Sequence, residues 1–503
     1  MNRPAQTLLA APAIGERSAQ ENPTDQDPQR PPKKSSGSPA ASIRALLIAL
    51  SLSVVTPSSV LAVSAVWLLN PGSGDWNPGT NWSTSPVAPV TAGDTATFNI
   101  STVTSLTLSG SVTIGSITFQ PGASAFTINT NGQNLAVEGI GIVNNSGKAQ
   151  AITNNGAAFQ AGITGITIVA AGSTQFLNAS TAGSATITNY GGAFSGGSGG
   201  STQFLNASTA ASATITNYGG DVFGARSGLT EFLGTSTAGN ATITNNGGAS
   251  GAEGGSTFFF DRSDGGTARA ITNGNGSFDI SGLTTAGMGI GSIEGSGNYF
   301  LGSKMLSVGG NNLSTTVSGV IQDGGASGGT GGSLTKVGTG TLTLTGTNTY
   351  SGGTTISAGT LQLGNGGTTG SIAGNVTDNA ILAFSRSDAF TFGGVISGTG
   401  SVQQIGTGTA VLTANNTYTG GTTISAGTLQ LGAGGTTGSI VANVTDNAAL
   451  IFDHSNAITF PGVISGTGSV TQAGTGTLIL TGDNTYTGGT TIAAGSTLQL
   501  GVG

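Results

Sequence analysis

The residue types that could do chemistry are few in this sequence. It holds one histidine, His454, in the run Phe452-Asp453-His454-Ser455. A histidine between an acid and a serine has the parts of a hydrolytic triad, in which imidazole takes a hydroxyl proton and a carboxylate orients the ring. Against that use, a closely similar run one repeat earlier places Arg386 at the corresponding position and Ser385 where Asp453 stands. A position that exchanges His for Arg between copies reads as a solvated surface site. The densest charged cluster is Asp261, Arg262, Asp264 and Arg269. Acids beside a base are what a calcium-assisted polysaccharide lyase needs, but this cluster sits in one irregular stretch, DRSDGGTAR, where a charged surface loop is the default. Asp378 and Asp446, each in an NVTDNA segment, read as turn residues.

Cysteine is absent, which excludes disulfides, thiolate metal sites and cysteine nucleophiles. The glycine runs lack the Lys-Ser or Lys-Thr pair of a phosphate-binding loop and the spaced aspartate of a calcium-binding nonapeptide. No catalytic, cofactor-binding or metal-binding residue is therefore expected. What recurs is threonine, serine and asparagine, whose hydroxyls and amides suit hydrogen bonding to glycans or proteins.

Those residues sit on repeats. Gly338 to Gly364 reads GTGTLTLTGTNTYSGGTTISAGTLQLG, and it returns at a constant period from Gly406 and from Gly474, with Ser496 inserted near the end of the last copy. Thr341-Leu342-Thr343-Leu344-Thr345 alternates with period two, which places the leucines on one face of a strand and the threonines, Thr343 among them, on the other. Thr354-Thr355-Ile356 and Thr360-Leu361-Gln362-Leu363 give two further strands, separated by glycines that permit turns. Three strands and three corners describe one turn of a β-helix, with Leu342, Leu344, Ile356, Leu361 and Leu363 pointing inward and stacking on their equivalents. The 68-residue period then corresponds to three coils of about two dozen residues each.

The motif G-T-G-T-L-T-L-T-G-x-N-T-Y-x-G-G-T-T-I-x-x-G-T-L-Q-L-G resembles the autotransporter-associated β-strand repeat, over three units in the last third of the chain. The resemblance implies the passenger of a Gram-negative type V secreted protein and a right-handed parallel β-helix. It also implies an outer-membrane translocator as partner; no C-terminal barrel pattern is present, so a truncated passenger or a separate translocator is expected, and the uncapped last coil is expected to self-associate.

In chain order, residues 1–42 are polar and aperiodic and read as a disordered n-region. Residues 43–65 carry a basic flank, the apolar run ALLIALSLSVV and small residues, the layout of a signal peptide. The expected cut follows Ala65, with Ala62 as second choice. Residues 66–172 hold Trp67, Trp76 and Trp82 and the first coils; a cap over the open end of a solenoid core explains these rings better than a sugar platform. Residues 173–282 carry a second repeat, STQFLNASTAGSATITNYGG, whose Ile-Thr-Asn triplets begin at Ile187, Ile215, Ile243 and Ile271. One coil per repeat would stack Phe176, Phe204 and Phe232 in one ladder and the isoleucines in another, while Asn189, Asn217, Asn245 and Asn273 bond coil to coil. Residues 283–336 read as junction coils and 337–503 as the 68-residue repeats.

Composition fits an ordered solenoid. Glycine and proline make up 104 of 503 residues and charged residues only 7%, whereas disordered chains are usually highly charged. From residue 66 onward the net charge is −9, without basic clusters, so nucleic acid is not an expected partner. The function expected is non-enzymatic display at the cell surface, outer membrane or outside the cell, in adhesion to glycan or protein ligands on a host or neighbouring cell. A polysaccharide-acting lyase or hydrolase and an ice-binding solenoid are the alternatives.

Overall fold

A computed structural model describes residues 61–501 except 157, 163, 164 and 170. The expected disordered segment and nearly all of the signal peptide lie outside these residues. The described chain folds as a parallel β-solenoid; its one helical element is a single 3-10 turn at Gly79–Asn81. Short strands pair in parallel with their neighbours one coil away, and the antiparallel hairpin of Ala158–Gly162 with Gly165–Val169 is the exception among them.

In the first half, two sheets of eleven and eight strands face each other across the core. Ser173–Phe176 pairs in register with Ser201–Phe204, and that strand with Leu229–Phe232. The facing strands Thr186–Asn189, Thr214–Asn217 and Thr242–Asn245 do the same. One repeat is thus one coil. Phe176, Phe204, Phe232 and Phe259 stack at 4.7–4.8 Å with tilts of 6–9°, a distance set by the spacing between hydrogen-bonded strands. Ile187, Ile215 and Ile243 form the second buried ladder, but the next rung is Ala270 and not Ile271. The reason is one missing residue: Leu229 pairs with Ser256, one position short of the repeat. A one-residue slip exchanges the faces of a strand, so Ile271 is half-exposed while Ala270 and Thr272 are buried.

The tryptophans close one end of this core. All three are at most 1% exposed, Trp82 stands edge-on to Trp67 and Trp76 at 5.0 and 4.9 Å, and each indole N–H donates to a backbone carbonyl. Such rings cannot receive a sugar. The first strand, Ser64–Val66, runs beside Thr95–Thr97, so Ala65, the residue expected to precede the signal cut, is a buried rung paired with Ala96.

The second half has shorter coils. Leu342 pairs with Leu361, Leu361 with Leu382 and Leu382 with Val402, so that each rung follows the last by fewer than two dozen positions. The coil of two dozen residues is therefore corrected, and the 68-residue period makes three coils and a part of the next. Equivalent strands consequently do not stack. Thr354–Ile356 lies beside Ser333–Lys336 in a six-stranded sheet, while its copy Thr422–Ile424 lies in the adjacent eight-stranded sheet and the third copy Thr490–Ile492 in the next one again. Each repeat steps one face around the axis. Leu342, Leu344, Ile356, Leu361 and Leu363 all point inward, at most 1% exposed, as expected. Thr343 does not lie open on the outer face: it is 8% exposed, and Ala383, two strands along the same outward row, is 1% exposed.

Candidate binding surface

The chemistry-bearing residues are mostly consumed by the fold. His454 is not a solvated site, for it is 1% exposed at the end of the strand Ala449–His454. Its ring lies against Gly432, where an added Cβ would be 3.0 Å away. Burial pushes its pKa down, opposed by Asp453 and the Gly438 backbone. No triad forms around it: Asp453 accepts from Gln430 and Ser455 donates to the Gly435 carbonyl. In the preceding copy Arg386 meets the matching loop through the Thr368 and Gly370 carbonyls and pairs with Asp388 at 2.7 Å. His and Arg thus interchange because both seat the same glycine loop.

The Asp261 cluster is likewise structural. Asp261 has φ 55° and accepts the Gly234 N–H, Asp264 accepts those of Gly266 and Gly289, and Arg269 pairs with Glu294. Among the described residues no group of acids and histidines is placed to hold a metal ion. Asp378 and Asp446 do make turns, each through Oδ1 accepting an N–H two positions on. Both are also fully buried, with Oδ2 unpartnered. Burial pushes the Asp378 carboxyl up to about 6 and raises that of Asp446. At another corner Lys336, 1% exposed, donates to the carbonyls of Val337, Gly338 and Ala358, and its copies Gln404 and Gln472 donate to glycine carbonyls in the same way.

A continuous surface exists only where equivalent residues line up, which requires a repeat equal to one coil. That condition holds from Ser173 to about residue 260. Inside, Asn154, Asn189, Asn217 and Asn245 form a chain of amides at 2.7–2.8 Å, each Oδ1 also accepting a threonine hydroxyl at 2.9 Å. The register slip puts Thr272 at the next position and sends Asn273 out of line. Outside, Gln175 donates to Gln203 and Gln203 to Glu231, both at 2.7 Å, and Phe258 takes the next position. Burial raises the Glu231 pKa, with the Gln203 bond acting the other way.

Beside this outer row the connections 190–200, 218–228 and 246–255 stack into a fin. Asp221 N–H donates to Gly192, Arg226 to Gly197 and Ala249 to Gly220, at 2.9–3.0 Å. Glycine is required for this closeness: a Cβ on Gly191 would stand 2.1 Å from the Gly219 carbonyl oxygen. One side of the fin shows Tyr190 and Tyr218 stacked at 5.3 Å and 45% and 41% exposed, over a hollow of about 260 Å³ that includes Asp221. The other side forms, with the sheet, a groove of about 360 Å³ lined by Arg226, Glu253, Ser201, Leu229 and Phe258. Phe258 also lines a further hollow of about 300 Å³ with Ser277, Asp279 and Phe300, so the two adjoin at this ring. Asp279 holds the far wall, accepting the N–H groups of Ser281 and Ala326 at 2.7 and 2.6 Å.

Sequence reasoning does not find this groove, because NYGG and its neighbours read as turns; the recurrence of Tyr190 and Tyr218 at the coil period is the available signal. By contrast, the TxT strands of the 68-residue repeats step around the axis, so they offer no flat threonine plane of the kind an ice-binding face needs.

The model of the passenger-associated-transport repeat matches residues 334–363, 402–431 and 470–500. Over 114 residues the chain is 39% identical to the adhesin BmaC autotransporter of Brucella suis biovar 1 (strain 1330), a match covering 21% of this chain and 3% of that protein. The matched stretch thus spans a small fraction of its curated relative's length. No solved structure matches.

Proposed function

We propose that this chain, which carries three passenger-associated-transport repeats on an autotransporter-type passenger solenoid, is a non-enzymatic surface adhesin that binds an extended neutral glycan along the groove between fin and sheet. Passengers of this kind are secreted to the cell surface or beyond it, with a translocator as the partner in export. The observation that carries the reading is that two hollows on neighbouring strands adjoin at the Phe258 ring. Its lining holds serines at Ser201 and Ser277, a ring at Phe258 and the charged pair Arg226 and Glu253, and successive coils rise by ~4.8 Å, about the length of one sugar ring. Aromatic faces and hydroxyl-rich strips suit pyranose chains. Glu253 and Asp279 outnumber Arg226 along the lining, a balance that disfavours an acidic polymer. The adhesin that the chain resembles supports the same class of role.

The test is calorimetry with neutral gluco- and manno-oligosaccharides. Binding that weakens about tenfold in Phe258→Ala, recovers in Phe258→Tyr and is unchanged in Tyr218→Ala, on the other side of the fin, is the expected result. A folded protein that binds none of these sugars would overturn the glycan reading.

A further inference from the structure

The first described residues hold an unusual contact. Asp94 is 1% exposed, and its carboxylate is fully engaged: Oδ1 accepts the Val63 N–H at 2.7 Å, while Oδ2 accepts the N–H groups of Val90 and Thr91 and the Thr91 hydroxyl at 2.8–3.0 Å. Val63 is also fixed on its other side, where its carbonyl accepts the Thr95 N–H at 2.8 Å. Immediately before it, Leu61 and Ala62 are exposed. A buried carboxylate that reaches the nitrogen of a residue directly after an exposed small-residue site is poised for a charge on that nitrogen.

We propose that the signal segment is removed between Ala62 and Val63, and that the new Val63 α-ammonium forms a buried ion pair with Asp94 that locks the first coil. Two bonds follow a small residue in the manner of a signal cut, after Val60-Leu61-Ala62 and after Val63-Ser64-Ala65. They differ in what they do to the fold. Cutting after Ala65 discards Ser64 and Ala65, which pair with Thr95 and Ala96, and removes the N–H that Asp94 Oδ1 accepts. Cutting after Ala62 leaves that strand whole. In the step itself an endopeptidase adds water across the Ala62–Val63 amide. The C–N bond breaks, hydroxide goes to the Ala62 carbonyl and hydrogen to the Val63 nitrogen, which takes a further proton from solvent. The N–H···O contact, charged until then on the carboxylate alone, becomes an ion pair charged on both partners. Export and locking are thereby coupled, since the pair exists only after the leader is gone.

The sign of the pH dependence follows. Pairing with a carboxylate raises the folded-state pKa of the amine above its unfolded value of ~7.7–8. The added stability is therefore full below that value and is lost as pH rises through the folded-state pKa. The inference rests on the exported-passenger reading, and the experiment separates the two. N-terminal sequencing of the full chain after export is expected to begin at Val63; a mature start at Val66 overturns the assignment while leaving export intact, and no cleavage at all overturns both. Independently, protein beginning at a free Val63 should melt a few degrees above protein that keeps Ala62 or carries an acetylated Val63, at pH 6 but not at pH 10. Asp94→Asn should abolish that difference. Equal melting of the free and acetylated forms at pH 6 would remove the ion pair even if the Asp94 variant fails to fold.

Discussion

At the residue scale, the asparagine chain is the clearest case of a buried polar group retained because every valence is used. Asn217 donates to Asn245 and to the Ser256 carbonyl and accepts from Asn189 and Thr230. Asn217→Ala orphans groups in the coils on both sides, and buried unsatisfied groups cost about 1–3 kcal/mol each. A loss of about 3 kcal/mol or more in denaturant unfolding is expected, against under about 1 kcal/mol for Gln203→Ala on the outer row. Asp378 and Asp446 present the opposite situation, a buried carboxyl with one oxygen unpartnered. Because burial lifts the Asp378 pKa from 3.8 to about 6, the folded state holds its proton longer than the unfolded chain. Stability is thus greatest below about pH 4 as far as this group is concerned, and it falls as pH rises through about 6. The loss for Asp378 is up to about 3 kcal/mol. The double variant Asp378→Asn, Asp446→Asn keeps the Oδ1 acceptors and should flatten the curve between pH 4 and 7; an unchanged slope would show that other groups set it.

At the element scale, the strands are readable because period-two alternation and glycine corners are local signals. Leu342 and Leu344 inward, the phenylalanine ladder and the tryptophan cap all follow from such patterns. What is not readable is how coils of unequal length align. The single residue missing before Ser256 moves Ile271 outward and Thr272 inward, and no residue in that strand announces the slip. Thr343 escapes the pattern for a related reason, since alternation fixes which side a side chain takes but not what lies over that side. His454 escapes it because exchange with arginine signals a shared loop contact as readily as exposure. The covering of Thr343 has a measurable result: Thr343→Asp should destabilise by more than about 1 kcal/mol, the range of open sites. Leu342→Asp, which buries a charge in the core, should still be the more damaging of the two by urea unfolding.

At the scale of the whole molecule, the two repeat families do different geometric work. A unit of the first array adds one coil, and everything beyond it keeps its azimuth. A 68-residue unit adds three coils and a further face, so everything beyond it turns. Deleting the segment 201–228 should bring the fin and the later coils closer without rotation, whereas deleting the segment 338–405 should move Gly434 and its loop to the face now occupied by Gly366. The chain contains no cysteine, so a pair of introduced thiols, one at Gln175 on the same outer row as Gln203 and one at Gly434, reports the change directly as a spin-label distance; axial shortening in the second deletion without a change of face would refute the stepping. For a lineage whose genes gain and lose repeats by slippage, the consequence is that copy number in one array tunes reach and copy number in the other tunes aim, two independent adjustments available from the same kind of genetic accident.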